Sequence, residues 1–155
     1  MNIAIQRAAV DDVDRIAPLF DAYRGFYAQP GDLVRGREFI RHRLEREESV
    51  IFLAVLDESN SNAITIGFTQ LYPVFSSVRM KRKWVLNDLF VAEAHRGLGA
   101  GRQLLNRAIE FARETQSRGL ELCTGVDNSV AQRLYEQIGL KRIDRFFYYD
   151  LPVDE

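Results

Sequence analysis

The chain has 155 residues, 46% of them hydrophobic and 28% charged, with a formal net charge of −1. That composition suits one soluble globular domain over residues 1–155, able to bury about two-thirds of its unfolded surface, and excludes a disordered chain. Balanced charge removes any global attraction to nucleic acid or membrane, no apolar run approaches spanning length, and the lone Cys123 excludes an intrachain disulfide or thiolate metal cluster.

The first residues, MNIAIQRAAVDD, lack the basic start and long apolar core of a secretory leader, so the expected compartment is the cytoplasm. IAIQRAA (3–9) alternates like a short strand. Asp11 then reads as the cap of a helix that carries Asp14 in its first turn and Ile16, Leu19, Phe20 and Tyr23 at helical spacing, despite Pro18. AQPGD (28–32) breaks the chain before a second helix with Leu33, Ile40 and Leu44 on one face. SVIFLAVL (49–56) and AITIGFTQLYP (63–73) predict an antiparallel hairpin across the polar turn DESNSN (57–62).

FSSVRMKR (75–82) reads as a loop and KWVLNDLFV (83–91) as the central strand. Leu104, Leu105, Ala108, Ile109 and Ala112 form the apolar stripe of a helix from Gly99 to about Ser117, closed by Gly119. LELCT (120–124) predicts a strand, SVAQRLYEQI (129–138) a helix stopped by Gly139, and FFYYDL (146–151) a last strand. Nothing reads as a linker.

HRGLGAG (95–101) places glycines at 97, 99 and 101, directly before that long helix. A helix start exposes unpaired N–H groups and a positive dipole end, which together suit a phosphate, and Arg96 adds a charge. Tight packing of the helix start on a sheet explains the glycines equally well. Two familiar phosphate loops fail: no Gly-Lys-Ser/Thr is present for a Walker A loop, and the spacing is not G-x-G-x-x-G.

R-G-L-G-A-G ahead of a Leu-rich helix resembles the acetyl-CoA pyrophosphate loop of the GNAT N-acetyltransferases, Arg/Gln-x-x-Gly-x-Gly/Ala, with Arg96, Gly99 and Gly101 matching. LNDLFV resembles that family's fourth strand. TGVDNSVAQRLYEQIGLKR (124–142) resembles its second cofactor segment, with Asn128, Ala131, Tyr135 and Gly139-Leu140 in register. The resemblance implies an α/β fold: a mixed, mostly antiparallel sheet, splayed between strands four and five to admit acetyl-CoA. No metal is implied. In that reading Arg96, Gly97, Leu98, Gly99, Ala100, Gly101 and Arg102 hold the pyrophosphate. Leu89–Val91 is the bulged stretch that pairs with the pantetheine arm, and the Val91 N–H serves the developing oxyanion. Asn128 bonds the pantetheine. Tyr135 protonates the departing thiolate, a phenol of pKa about 10 facing a thiol of about 8.5.

Asp88 is the candidate general base, because Asn87 stands where diamine acetyltransferases place the Glu of a Glu-Asp pair. Tyr23, Phe26, Tyr27 and Asn87 are candidates to line the acceptor site, with Asp21 or Asp32 nearby to attract a cationic amine. Each assignment has a structural counterpart: a packed aromatic for Tyr135, a helix cap for Asn128, a strand-ordering role for Asp88, and the core of the first helix for the aromatics. Cys123 reads as a buried, inert thiol and His95 as a surface or hinge residue. RGREFIRHRLERE reads as a solvated helix face, while VRMKRK (78–83) suits an acidic partner or the cofactor's adenosine phosphate. The expected activity is acetyl transfer to a primary amine of a small molecule. A protein lysine or N-terminus as acceptor, and a non-catalytic CoA-binding regulatory module, are the other readings. Exposed aromatics in FFYYD and the family's frequent dimerisation point to a homodimer.

Overall fold

Five strands form one sheet in the order β1-β2-β3-β4-β5. They are β1 (Ile3–Arg7), β2 (Val50–Leu56), β3 (Ile64–Ser76), β4 (Lys81–Val91) and β5 (Leu120–Glu121). The computed structural model describes residues 2–57 and 61–154, so half of the polar turn expected over 57–62 lies outside the described residues. The described chain divides into two compact units, one ending at Cys123 and the other beginning at Thr124.

The first unit holds the whole sheet and three helices, α1 (Val13–Phe26), α2 (Leu33–Glu45) and α3 (Ala100–Glu114). β1 to β4 pair antiparallel, whereas β4 and β5 pair parallel. β2 is a continuous apolar run buried along its full length, as a strand covered on both faces must be. α1 and α2 cover one face. Ile16 and Phe20 of α1 and Ile40 of α2 join Ile51, Leu53, Val55, Phe68 and Phe90 in one buried cluster. α3 covers the other face, where Phe111 meets Phe52 (ring centroids 5.5 Å apart) and Trp84 (5.0 Å). Each fully buried side chain of this size contributes about 1.5–3 kcal/mol.

Several local expectations change. Asp11 caps nothing: a short 3-10 turn, Val10–Asp12, precedes α1, and Asp12 accepts the Ala9 N–H at 2.9 Å. α1 continues through Pro18 to Phe26. Half of the expected loop 75–82 is strand, because β3 and β4 stay paired out to Ser76↔Lys81 and only 77–80 form the turn between them. There the Arg82 guanidinium lies over the ring of its cross-strand neighbour Phe75 (5.7 Å) and over that of Trp84, two residues on in the same strand (5.3 Å), contacts that local polarity hides. β4 is fourth of five rather than central. β5 is only two residues long, paired Trp84↔Leu120 and Val85↔Glu121. β4 runs on from there to Val91, which is the splay the resemblance implied.

In the second unit, α4 (Ser129–Ile138) starts at Asn128, whose side chain accepts the Ala131 N–H at 3.2 Å. It ends in paired 6→1 and 5→2 bonds, Leu140 N–H to Tyr135 O and Gly139 N–H to Glu136 O, both 3.0 Å. Gly139 supplies the left-handed backbone this ending needs, at φ 103°. The last strand expected at 146–151 is absent. Strands exist by pairing, and among the described residues no ladder reaches this segment, so its aromatic β-formers stay irregular and exposed.

Candidate functional site

β4 changes character at Asn87. Opposite it, the register steps from Leu71↔Leu86 to Gln70↔Asp88, so Asn87 is one residue more than the partner strand has. Such a bulge re-aims every side chain after it. Before it, Trp84 points to the α3 face, with its indole N–H on Thr115 Oγ1 at 2.9 Å. After it, Phe90 points to the α1 face, its ring centroid 6.2 Å from that of Tyr23. Simple alternation would have put both on one face. The bulge expected within Leu89–Val91 therefore lies earlier, at Asn87, where the β3–β4 register forces it.

The displaced residue is Asp88, 3% exposed. Its Oδ2 accepts from Gln70 Nε2 at 2.6 Å and its Oδ1 from Asn87 Nδ2 at 3.0 Å. Both donors are amides, which cannot exchange a proton with the carboxylate. Two phenols complete the cluster. Tyr23 donates to the Asn87 carbonyl at 3.3 Å. Its pKa is pushed well above the ordinary tyrosine value, first by burial and then by the charge of Asp88. Tyr72 is raised likewise by burial and by Asp88, against the opposing influence of Arg43 and the Gln70 amide. Both phenols thus stay protonated and available as donors. Gln70 is fully buried, and its Oε1 has no partner among the described residues, an unusual state for a buried acceptor.

Beyond Phe90 the backbone itself becomes the feature of interest. The Ala92 N–H reaches Ile66 O at 2.8 Å, so ladder alternation makes Gly67↔Val91 a pair that exchanges no bonds. The Val91 N–H and C=O therefore face away from β3, as do those of Leu89. The Val91 carbonyl on that side accepts Arg96 Nε at 3.1 Å, and the Arg96 guanidinium lies 5.8 Å from the centre of the Phe90 ring. Gly67 is what lets the strands approach here. A Cβ on it would sit 2.7 Å from Phe90 O and 3.2 Å from Val91 Cγ2.

A short 3-10 turn, Glu93–His95, leads into the glycine loop, and His95 Nδ1 is buried without a partner among the described residues. Gly97 and Gly99 have φ of 82° and 87°, and a Cβ on either would meet nothing within 4 Å. Close packing against the sheet is therefore not their reason. They are needed for left-handed backbone, and they leave open space before the α3 start, where the N–H groups of Ala100, Gly101 and Arg102 precede the helical ladder. That arrangement can hold an anionic group.

The remaining candidates separate. Tyr23 is a partly buried member of the α1-face cluster, whereas Phe26 and Tyr27 are 60% and 55% exposed. Asp32 caps α2 through the Arg35 N–H, and Asp21 accepts the Asp32 N–H at 2.8 Å, so both carboxylates have structural work. Asn128 and Tyr135 lie on the second unit, the first as the α4 cap and the second half-buried within the helix. Cys123 is exposed rather than buried, because β5 ends two residues before it. Reading the sequence passed over Gln70 and Gly67. Gln70 was detectable as a polar residue on the alternating face Ile66-Phe68-Gln70-Tyr72, and Gly67 as a lone glycine inside a strand pattern. Among the described residues, no cluster of three or more His, Cys, Asp or Glu could hold a metal, and no helix is long and apolar enough to cross a membrane.

Known proteins bear on this geometry. The chain is 46% identical over 149 residues to the uncharacterised N-acetyltransferase YhfO of Bacillus subtilis (strain 168), covering 96% of this chain and 97% of that one. It is 35% identical over 109 residues to a probable acetyltransferase of Haemophilus influenzae, covering 70% and 72%. A crystal structure of a probable acetyltransferase superposes with a TM-score of 0.90 at 43% identity, over 98% of this chain and 99% of that one. The model of the acetyltransferase (GNAT) family matches residues 16–140, from α1 through the glycine loop to the end of α4. With that match and those relatives, the chain belongs to the GNAT family of N-acetyltransferases.

Proposed function

We propose that the chain transfers an acetyl group from acetyl-CoA directly to the primary amine of a small molecule. The observation that carries this reading is the outward-facing Val91 N–H, at the end of a β4 edge that has no strand partner among the described residues and is followed, after one 3-10 turn, by an open glycine loop. The amides of 96–101, with Arg96 and Arg102, hold the pyrophosphate. The β4 edge at Leu89 and Val91 pairs with the pantetheine arm, as does the Asn128 side chain. The Val91 N–H stabilises the charge that develops on the acetyl oxygen.

Asp88 takes the proton of the attacking amine. Since its two bonded partners are amides, that proton passes by way of a phenol or water at the cluster edge. Tyr135 returns a proton to the leaving thiolate. The acceptor lies against Tyr23, Phe26, Tyr27 and Asn87. The protein works in the cytoplasm as a homodimer. Support for the dimer is the exposed Phe147, Tyr148 and Tyr149, 81–93% accessible, and a sedimentation mass of one 17.9 kDa chain would contradict it.

Acetyl-CoA-dependent thiol release against a panel of small primary amines tests the activity. Turnover with at least one of them is expected, and turnover only with peptides would move the acceptor to protein amines. With an acceptor in hand, Tyr135→Phe should cost about 10²–10⁴ in rate and leave acetyl-CoA affinity nearly unchanged.

A further inference from the structure

The basic run VRMKRK has no part in acetyl transfer as described. It opens β4, whereas the glycine loop follows the strand's far end. Ten residue steps from Lys81 to Val91 put about 33 Å between them at roughly 3.3 Å per residue. The adenosine phosphate of a cofactor held at the loop is therefore a poor account of it.

The fold gives this run a partner segment instead. The β3–β4 turn and the α3–β5 loop enclose a cleft of about 570 Å³ lined by Arg79, Lys81, Lys83, Ser117, Arg118 and Glu121. Backbone bonds hold its two walls together: Trp84 N–H to Gly119 O at 3.0 Å and Arg118 N–H to Arg82 O at 2.6 Å. Lys83 is paired with Glu121 at 2.6 Å. Arg79, Lys81 and Arg118 have no ion-pair partner among the described residues, which leaves three uncompensated positive charges around one cavity in a chain of net charge −1. Only Arg118 has a structural reason, since it follows the negative end of the α3 dipole. A solvated basic face would spread such charges apart rather than gather them from two segments around a hollow.

We propose that this cleft binds a small polyanion, one bearing two or more phosphate or carboxylate groups. The cavity falls in the range of about 300–1,000 Å³ usual for small-molecule sites. Arg79 and Lys81 grip the ligand from the turn and Arg118 from the loop. A ligand held on both sides ties β4 to β5 at the Trp84–Val85 pairing, the closed end of the splay. It acts as a brace remote from the acetyl-transfer site, and binding raises the melting temperature.

Inorganic pyrophosphate is the probe, measured by calorimetry and thermal melting on three proteins: the native chain, the Arg79→Gln/Lys81→Gln/Arg118→Gln variant, and Gly99→Val. The Gly99→Val protein has its loop disabled, so binding that persists there belongs to the cleft. The expected result is stabilisation of the native and Gly99→Val proteins, with affinity at least about tenfold weaker in the triple variant, and single Arg118→Gln intermediate. Inorganic phosphate, too short to bridge, should bind more weakly than pyrophosphate. Undiminished binding in the triple variant, loss confined to Gly99→Val, equal affinity for phosphate and pyrophosphate, or no binding to the native chain would each overturn the proposal.

Discussion

β4 before Asn87 and β4 after it are the same strand doing two different jobs. The first half sends Trp84 into the α3 face, where Phe111 and Thr115 receive it. The second half sends Asp88 and Phe90 to the α1 face, and places a polar cluster of Gln70, Asp88, Tyr23 and Tyr72 among the aromatic rings of the core. The halves differ in their opening charges, Lys81, Arg82 and Lys83 in the first and Asp88 in the second, but each then runs into consecutive large apolar residues, so composition does not say which face those residues take. One extra residue does. It carries a carboxylate across the sheet, and the strand beyond it ends with its backbone outward, ahead of the glycine loop.

The sharpest way to break that difference is to delete Asn87. Removing the extra residue returns Asp88 and Phe90 to the α3 face. That strips Phe90 from its cluster, worth roughly 3–5 kcal/mol, and presses a charged side chain into apolar surroundings. Urea unfolding followed by circular dichroism should show no cooperative native transition. A midpoint near that of the native chain would mean the bulge does not set the facing.

A smaller effect is expected at Gly67. Its alanine variant puts a Cβ against the Phe90 carbonyl, so β3 and β4 must part at Val91, at a cost of about 1–3 kcal/mol. An unchanged urea midpoint would show that the strands separate freely there.

How much of this was legible in advance depends on range. The amphipathic helices, the Gly139 stop and the glycine loop are written in residues close along the chain, so spacing and backbone chemistry reveal them. The Asn87 bulge is not local, because it exists only in the register between β3 and β4, set by what each strand packs against. The failure of FFYYDL to form a strand has the same cause in reverse: β-formers without a partner edge gain no ladder. Cys123 was misjudged since an apolar-looking stretch gives no sign of where its strand stops.

The smallest expected effect separates the halves by pH. The Tyr23 and Tyr72 phenols have raised pKa values in the folded protein, so the unfolded chain releases those protons first as pH climbs past about 10. Stability from these two groups is full below that pH and falls as pH rises toward the folded-state values. Urea midpoints should therefore decline in alkali less steeply for Tyr23→Phe than for the native chain. Identical slopes would remove Tyr23 from the cluster's energetics.

The working half of β4 is best tested by pairing Asp88→Asn with Trp84→Phe and measuring acetyl-CoA-dependent turnover and urea midpoint on each. Trp84→Phe removes the indole bond to Thr115 and should cost about 1 kcal/mol of stability with turnover intact. Asp88→Asn keeps the shape of the side chain and should lower turnover by about 10²–10⁴. Asp88→Asn turnover within about threefold of the native chain would contradict the assignment of Asp88 as the base and leave both halves of β4 as scaffold.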